Sequence, residues 1–338
     1  MGRQDHEWQA IGPLWRIAGI VPTLAASAGF AFSASAQSIV ADGDVLVDQN
    51  AVAGALAVPL NASQVEVAVR PGGAPDNVPP QGRLTLEGGA DLVTNDLLVA
   101  DLAVDSFGIV DATGFGTTIE SQFIGVGGAG DGVLRLRDGA VAQSNGQAGF
   151  GSLGFSSPAG RGALDLGGSG STLRVLSGLG LNFGTGRVAD GARVLVDQGV
   201  QLGNDQVGYD LAVTGGGQLR GGQMQTLGNN VSNAPSPRKL TLGSGGSASA
   251  GIVDVKRNSA LNLEGGQLET NLLQVNPGGT LSGHGQIDGS VLLFNAAFDT
   301  PARLSVASGQ TLRIVPPSFQ AVTLESEARV ENYGTLDL

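Results

Sequence analysis

The sequence predicts an all-β protein, built as one elongated β-solenoid, and three observations carry that expectation. First, a phrase recurs: Gly132-Val-Leu134-Arg-Leu136-Arg-Asp-Gly139-Ala-Val141, then Gly162-Ala-Leu164-Asp-Leu166-Gly-Gly-Ser-Gly170-Ser-Thr-Leu173, then Gly186-Arg-Val188-Ala-Asp-Gly191-Ala-Arg-Val194-Leu-Val196. Each copy is a short run of alternating aliphatics, a glycine-rich corner and a second alternating pair. Alternation puts Leu134 and Leu136 on one side of a strand and Arg135 and Arg137 on the other, and repetition at this scale means stacked coils. Second, glycine supplies 56 of 338 residues, against a usual share of roughly 7%. Glycine weakens regular interiors by roughly 0.5–1 kcal/mol each, so this many are tolerated only where the chain turns repeatedly with φ > 0 or packs backbone closely. Third, aromatics make up only 4% of the chain, which suits a narrow interior of Leu, Val, Ile and Ala. The glycines follow no Gly-X-Y period, which excludes collagen, and aliphatics are too frequent for a disordered linker.

The formal net charge is −12, from 30 Asp+Glu against 18 Lys+Arg. Phosphate contact needs a basic face, so nucleic acid is an unfavourable partner. Acidity of this kind keeps an exported protein soluble. The chain has no cysteine, which suits passage through an oxidising compartment.

Taken in order, residues 1–36 read as a signal peptide. Arg16 precedes an apolar run from Ile17 to Phe32, and Ala34-Ser35-Ala36 forms a small-x-small site with cleavage expected before Gln37. That run is shorter and richer in small residues than a membrane span of about 20 residues, so the mature chain carries no expected span. Residues 37–82 hold short alternating segments such as Val65-Glu-Val-Ala-Val69, followed by the run Pro71 to Pro80, which cannot join a ladder because proline lacks the donor. We read this stretch as capping strands plus a linker, since a solenoid needs an atypical first coil.

Residues 83–338 carry the repeats. Leu84-Thr-Leu86-Glu-Gly-Gly89-Ala-Asp-Leu92 returns as Leu211-Ala-Val213-Thr-Gly-Gly-Gly217-Gln-Leu219, as Leu261-Asn-Leu263-Glu-Gly-Gly266-Gln-Leu268 and as Leu304-Ser-Val306-Ala-Ser-Gly309-Gln-Thr-Leu312. Starts at 134, 164, 194, 211, 240 and 261 give coils of roughly 20–30 residues. The run Asn229-Asn-Val-Ser-Asn-Ala-Pro235-Ser-Pro237 interrupts them. It is expected to bulge from one face and makes Asn229, Asn230, Ser232, Asn233 and Ser236 the candidate contact residues.

Several of these phrases resemble autotransporter passenger repeats. Gly160 to Leu173 is similar to their G-x-V-T-V-x-G-x-G-S-x-W unit, with Leu173 where the family usually has Trp. Phe183 to Val194 and Ile124 to Leu134 are similar to V-G-x-x-G-x-G-x-L-x-I-x-D-G-G-x-V, and Thr280 to Val291 to G-x-L-x-G-x-G-x-I-x-G-x-V. The resemblance covers about 120–200 and 260–295. It implies a right-handed parallel β-helix, exported to the surface of a Gram-negative bacterium or released from it. The role implied is structural or adhesive, with a host or neighbouring-cell surface, a glycan or matrix as partner. Such passengers precede a translocator barrel of strands of about 10 residues with aromatic girdles. No such segment follows here, so the expectation is either a passenger fragment or export by another route.

Chemistry is sparse, and no cofactor, metal or catalytic residue is predicted. His284, between two glycines, reads as an exposed turn residue. Gly127-Gly-Ala-Gly-Asp131-Gly-Val-Leu134 approaches a calcium nonapeptide with its Asp one position early, but such sites need tandem copies, so it reads as a plain corner. Gly178-Leu-Gly180-Leu-Asn-Phe-Gly184 has the spacing of a nucleotide loop without a helix after it, and also reads as a corner. A polysaccharide lyase or hydrolase, the main enzymatic alternative, needs clustered acids or bases on one face. Lys239 and Lys256 are the only lysines, and pairs such as Asp101 with Asp105, or Asp205 with Asp210, share no register. A passive stalk is the third alternative.

Overall fold

A computed structural model describes residues 34–41, 43–48, 60–68, 81–100, 105–151, 160–203, 208–226, 238–294, 300–317, 322–325 and 328–338. They form a parallel β-helix: 26 strands, every pairing between them parallel, and no helix among the described residues. Each coil has three faces, here called A, B and C. Strand Asp131–Arg137 lies on face A, Val141–Ser144 on B and Ala148–Phe150 on C, before the chain returns to A at Gly162–Gly167. On face A, eleven successive pairings link twelve rungs, from Gly43–Asp48 to Arg329–Asn332. At about 4.8 Å per rung the stack is on the order of 50 Å long. Described segments of residues 37–82 pair in these same columns, Gly43–Asp48 against Gln81–Glu87 and Leu60–Val67 against Asp91–Val99.

Alternation translates directly into burial. Leu84, Val110, Leu134 and Leu164 stack in register on face A, and all are at most 1% exposed. Val65, Leu97, Ile124, Ala148, Leu179 and Val200 form the matching column on face C. Burying each such Val, Leu or Ile contributes roughly 1.5–3 kcal/mol. No coil encloses these side chains alone; each is covered by the rungs above and below it.

Coil length varies: Val275 stacks on Leu293 and Gly43 on Gly82, so coils run from 18 to 39 residues. The short coils have lost their corner loops. Strand Ser259–Val275 passes through all three faces, and its corners survive only as register shifts at Glu264/Gly266 and Glu269/Leu272. One expected coil start is displaced. Leu164 stacks on Gly186, whereas Val194 stacks on Leu173 and Leu219 and belongs to face B.

Gly186 occupies a leucine slot because Tyr209 fills the space. A Cβ on Gly186 would lie 3.0 Å from the Tyr209 ring and 2.7 Å from Leu211 Cδ1. Tyr209 is fully buried, and its hydroxyl donates to Thr185 O at 2.7 Å. Burial pushes its phenol pKa far above the usual value, so it remains a donor. Tyr209 also ends a ladder of glycines at the C-to-A corner: Gly43, Gly82, Gly108, Gly132, Gly162 and Gly184 stack in register, and the next position is Tyr209. The following rung has Arg238, which with Tyr209 heads the largest fully buried side chains. Arg238 lies across Gly203, where a Cβ would meet its Cγ at 2.5 Å.

The inward row at the B-to-C corner departs from the aliphatic rule. Thr94, Ser121 and Ser144 stack there, buried, where alternation calls for apolar residues. The Ser121 hydroxyl lies 2.6 Å from Phe123 O and 3.0 Å from Asn95 O, one rung earlier, and accepts Phe123 N–H at 3.2 Å. Ser144 reaches Gln147 O at 2.8 Å and Gln122 O at 3.2 Å in the same way, and Thr270 reaches Leu272 O and Gly251 O, both at 3.2 Å. Each hydroxyl thus adds a bond to corner carbonyls, some of which also accept a backbone N–H, Gln122 O from Gly146 and Gln147 O from Ile124. Ser121→Ala is expected to cost about 1–3 kcal/mol, because it strands buried polar groups. Equilibrium urea denaturation checks this, and a midpoint equal to that of the parent chain would show the corner does not need the hydroxyl.

Outside, face A carries a ladder of charges. Asp111 accepts Arg83 Nη2 at 2.6 Å and Arg135 Nη1 at 3.3 Å; Asp165 accepts Arg135 Nε at 3.3 Å and also Arg137 Nη2. Stacking rungs in register brings residues 24 to 30 positions apart into one network. Isolated surface pairs contribute little, while a shared network contributes more.

Candidate functional site

Face B is organised differently. Its outward row runs in register through Arg174, Leu195, Arg220, Ser249, Glu269 and Asp288, one residue per rung. The next outward row has Gln218, Ser247 and Gln267. At the centre, strand Ser247–Val255 contributes only small residues, Ser247 to Gly251, so the floor dips midway between the longer side chains of the rungs before and after it. One flank is raised where an extra residue in strand Arg193–Leu202 shifts the register between Val196 and Gly199. Asp197 stands there, and Pro316 and Pro317 form part of the rim. The result is an open groove of about 1180 Å³ that runs along the helix axis.

Arg174 and Arg220 stand at one end, with Asp197 on the flank of the rung between them, and Glu269 and Asp288 stand at the other. Asp288 is held by Gln267 Nε2 at 2.5 Å and Gln286 Nε2 at 2.6 Å. Arg174, Arg220 and Glu269 make no ion pair or side-chain hydrogen bond among the described residues, although each is exposed to the groove. This contrasts with face A, where Arg83, Asp111, Arg135 and Asp165 pair with one another. The groove presents donors and acceptors that the fold itself does not consume.

The residues singled out in the sequence lie elsewhere. Ala34 and Ala36 begin strand Ala34–Ala41, paired with Leu60 and Ala62, and Gln37 follows within that strand. The five loop candidates Asn229, Asn230, Ser232, Asn233 and Ser236 fall outside the described residues. Asp101 and Asp205 also lie outside them.

His284 is not an exposed turn residue. It lies inside strand Thr280–Leu293 beside Glu264, half-buried, with Nδ1 enclosed and without a hydrogen-bond partner among the described residues. The expected turn has tightened into a register shift, so the strand runs through it. Residues 127–130 form the plain corner expected; Asp131 opens the next strand and accepts Arg161 N–H at 3.2 Å. Among the described residues no group of three or more His, Asp or Glu side chains could hold a metal ion. Residues 179–181 form a short strand on face C. Lys239 stacks beside Asp210, and Lys256 pairs with Asp254 at 3.6 Å.

Sequence reading missed the groove because its stacked residues are 19 to 29 positions apart and converge only through the stack. The signal that could have found it is the Ser-Ala-Ser-Ala run at 247–250, where other rungs carry long outward side chains. Comparison with protein-family models, with curated proteins and with solved structures finds no match. No helix of the described residues is long and apolar enough to cross a membrane.

Proposed function

We propose that this chain is a non-enzymatic secreted or cell-surface β-helix of a Gram-negative bacterium, structural or adhesive in role, in the manner of an autotransporter passenger. The observation that carries the reading is the uninterrupted parallel stack, which forms a stiff rod whose faces repeat every rung. Such a rod presents long, regular surfaces to another cell or to matrix. Export rests on the apolar run that ends at Ala34-Ser35-Ala36, and the passenger motifs supply the comparison. Expression of the full chain in a Gram-negative host tests export: mature protein beginning at Gln37 and recovered outside the inner membrane supports it. Intact chain retained in the cytoplasm rejects it. Adhesion is tested by binding of cells to surfaces coated with the chain, and coated surfaces that hold no more cells than albumin-coated ones reject it. Deleting residues 229–237 tests the loop separately, since unchanged adhesion removes it as the contact.

One observation favours a second reading. Glu269 and Asp288 are neighbours on adjacent rungs of the groove, and a carboxylate pair is the equipment of glycan hydrolysis. Release of reducing ends from polysaccharides by the purified chain, lost in Glu269→Gln, would replace the adhesive reading with a catalytic one.

A further inference from the structure

We propose that the face B groove is a binding site for a neutral linear oligosaccharide; the assignment rests on the adhesive reading and names the partner chemistry for it. Four properties of the groove lead there.

It is long and follows the axis. From Arg174 to Asp288 there are five rung spacings, on the order of 24 Å at about 4.8 Å each. That shape takes an extended polymer along its length rather than a compact metabolite.

Its floor offers side chains and no backbone edge. The strands at 218–220 and 247–249 are paired on both sides, so a polypeptide cannot add to them as an extra strand, the usual source of affinity for an extended peptide. Apart from the main chain at Gly221, Gly222 and Gly251, recognition must come from side chains, which favours a ligand that carries hydrogen-bonding groups on every unit.

Donors and acceptors are both present, and several are uncommitted. Arg174 and Arg220 donate and Glu269 accepts, and none of the three is paired among the described residues. Gln218 and Gln267 can do either. Hydroxyl groups also donate and accept, so a polyhydroxylated chain can satisfy the whole lining. Ser247 and Ser249 lower the floor midway along the groove, and Gln218 and Gln267 flank that low point on the rungs before and after it.

The charge pattern selects against polyanions. Glu269 and Asp288 occupy one end and Asp197 a flank, and the whole chain carries a net charge of −12. An acidic polysaccharide that gained from Arg174 and Arg220 would meet Asp197 beside them and Glu269 and Asp288 at the far end, whereas a neutral glycan meets no like charge.

The test is binding of the full chain to an immobilised set of neutral linear hexasaccharides (gluco-, manno-, galacto- and xylo-configured), with a galacturonic acid hexamer as the anionic probe. Ser249→Tyr fills the groove floor from an outward position without altering the interior, and Glu269→Gln removes one acceptor charge at constant shape. The expected result is capture of at least one neutral hexasaccharide, weakened about tenfold or more by Ser249→Tyr and measurably by Glu269→Gln, with thermal unfolding of both variants unchanged. Absence of binding to every neutral probe overturns the proposal, as does tighter binding of the galacturonic acid hexamer. Should Ser249→Tyr misfold, equal binding by the parent and Glu269→Gln overturns it. Cell attachment separates the two levels: a chain whose attachment survives a folded Ser249→Tyr keeps the adhesive reading and loses the groove. A chain that binds a neutral glycan at the groove but holds no cells keeps the groove and loses the adhesive reading.

Discussion

Gly162→Ala is expected to cost about 3 kcal/mol or more, well beyond the ordinary effect of one added methyl group. A Cβ at Gly162 would stand 2.6 Å from both the Phe150 carbonyl carbon and Val126 O, and closer still to Gly151 N. All three are backbone atoms of the rungs it packs against, so no side chain can swing away and the coil itself must shift. Gly309→Ala supplies the comparison. Its φ of +75° strains an alanine, yet nothing lies within 4 Å of the added Cβ, so the expected cost is only the roughly 1–2 kcal/mol of a left-handed conformation. Urea denaturation of the two variants against the parent checks the order. In a stack whose rungs contact only their neighbours, damage at one rung can uncouple the two sides, so Gly162→Ala is also expected to broaden or split the transition. Equal midpoints for the two variants would mean that the glycine ladder serves turning rather than close approach.

Gly186→Leu is expected to destabilise by a similar amount, although it restores the leucine that the repeat otherwise has at this point. The new side chain would compete with Tyr209 and Leu211, which already lie within 3.0 Å of where its Cβ must sit. Tyr209→Gly alone leaves a cavity, and removes the donor to Thr185 O; large-to-small changes of this kind cost roughly 3–5 kcal/mol. The double variant Gly186→Leu with Tyr209→Gly continues both the leucine column and the glycine ladder by one rung. It is therefore expected to be more stable than the sum of the single losses implies, by about 1–3 kcal/mol of coupling. Recovery is partial, because leucine is smaller than tyrosine and the Thr185 carbonyl stays without its donor. Additive losses would show that Gly186 and Tyr209 do not share one space.

Much of the fold was legible. The faces A and B appear in the phrase itself, as in Leu134-Arg-Leu136 and Ala140-Val-Ala142, because period-two alternation is a local property of the chain. Face C was not legible, since segments as short as Leu179-Gly-Leu181 carry too little pattern to be told from a corner. The false start at 194 has a specific cause: Val194 is a good aliphatic on face B, and the true face A partner, Gly186, has no side chain to announce it. The hydroxyls of Thr94, Ser121 and Ser144 read as interruptions of alternation, and only their carbonyl partners explain them, on the preceding rung for Ser121 and Ser144 and two residues on for Thr94.

The site residues divide along the same line. His284 was judged from its glycine neighbours, which do turn the chain elsewhere, but in a coil of about this length the corner shrinks to a register shift and the residue stays in its strand. The groove could not be seen at all. Arg174, Arg220, Ser249 and Glu269 are unremarkable singly, and become a surface only when four coils of different length are stacked in register.

By itself, then, the sequence determined the class of fold, the inward aliphatic columns and the tolerance for close corners, because alternation and glycine content act within a few residues of the chain. The tertiary structure alone decided which residues are neighbours across coils. It set the glycine ladder against Tyr209 and Arg238, the charge ladder of face A and the uncommitted polar groove of face B. Coil length varies from 18 to 39 residues, so no fixed period relates one rung to the next, and only the pairing of the strands sets the register.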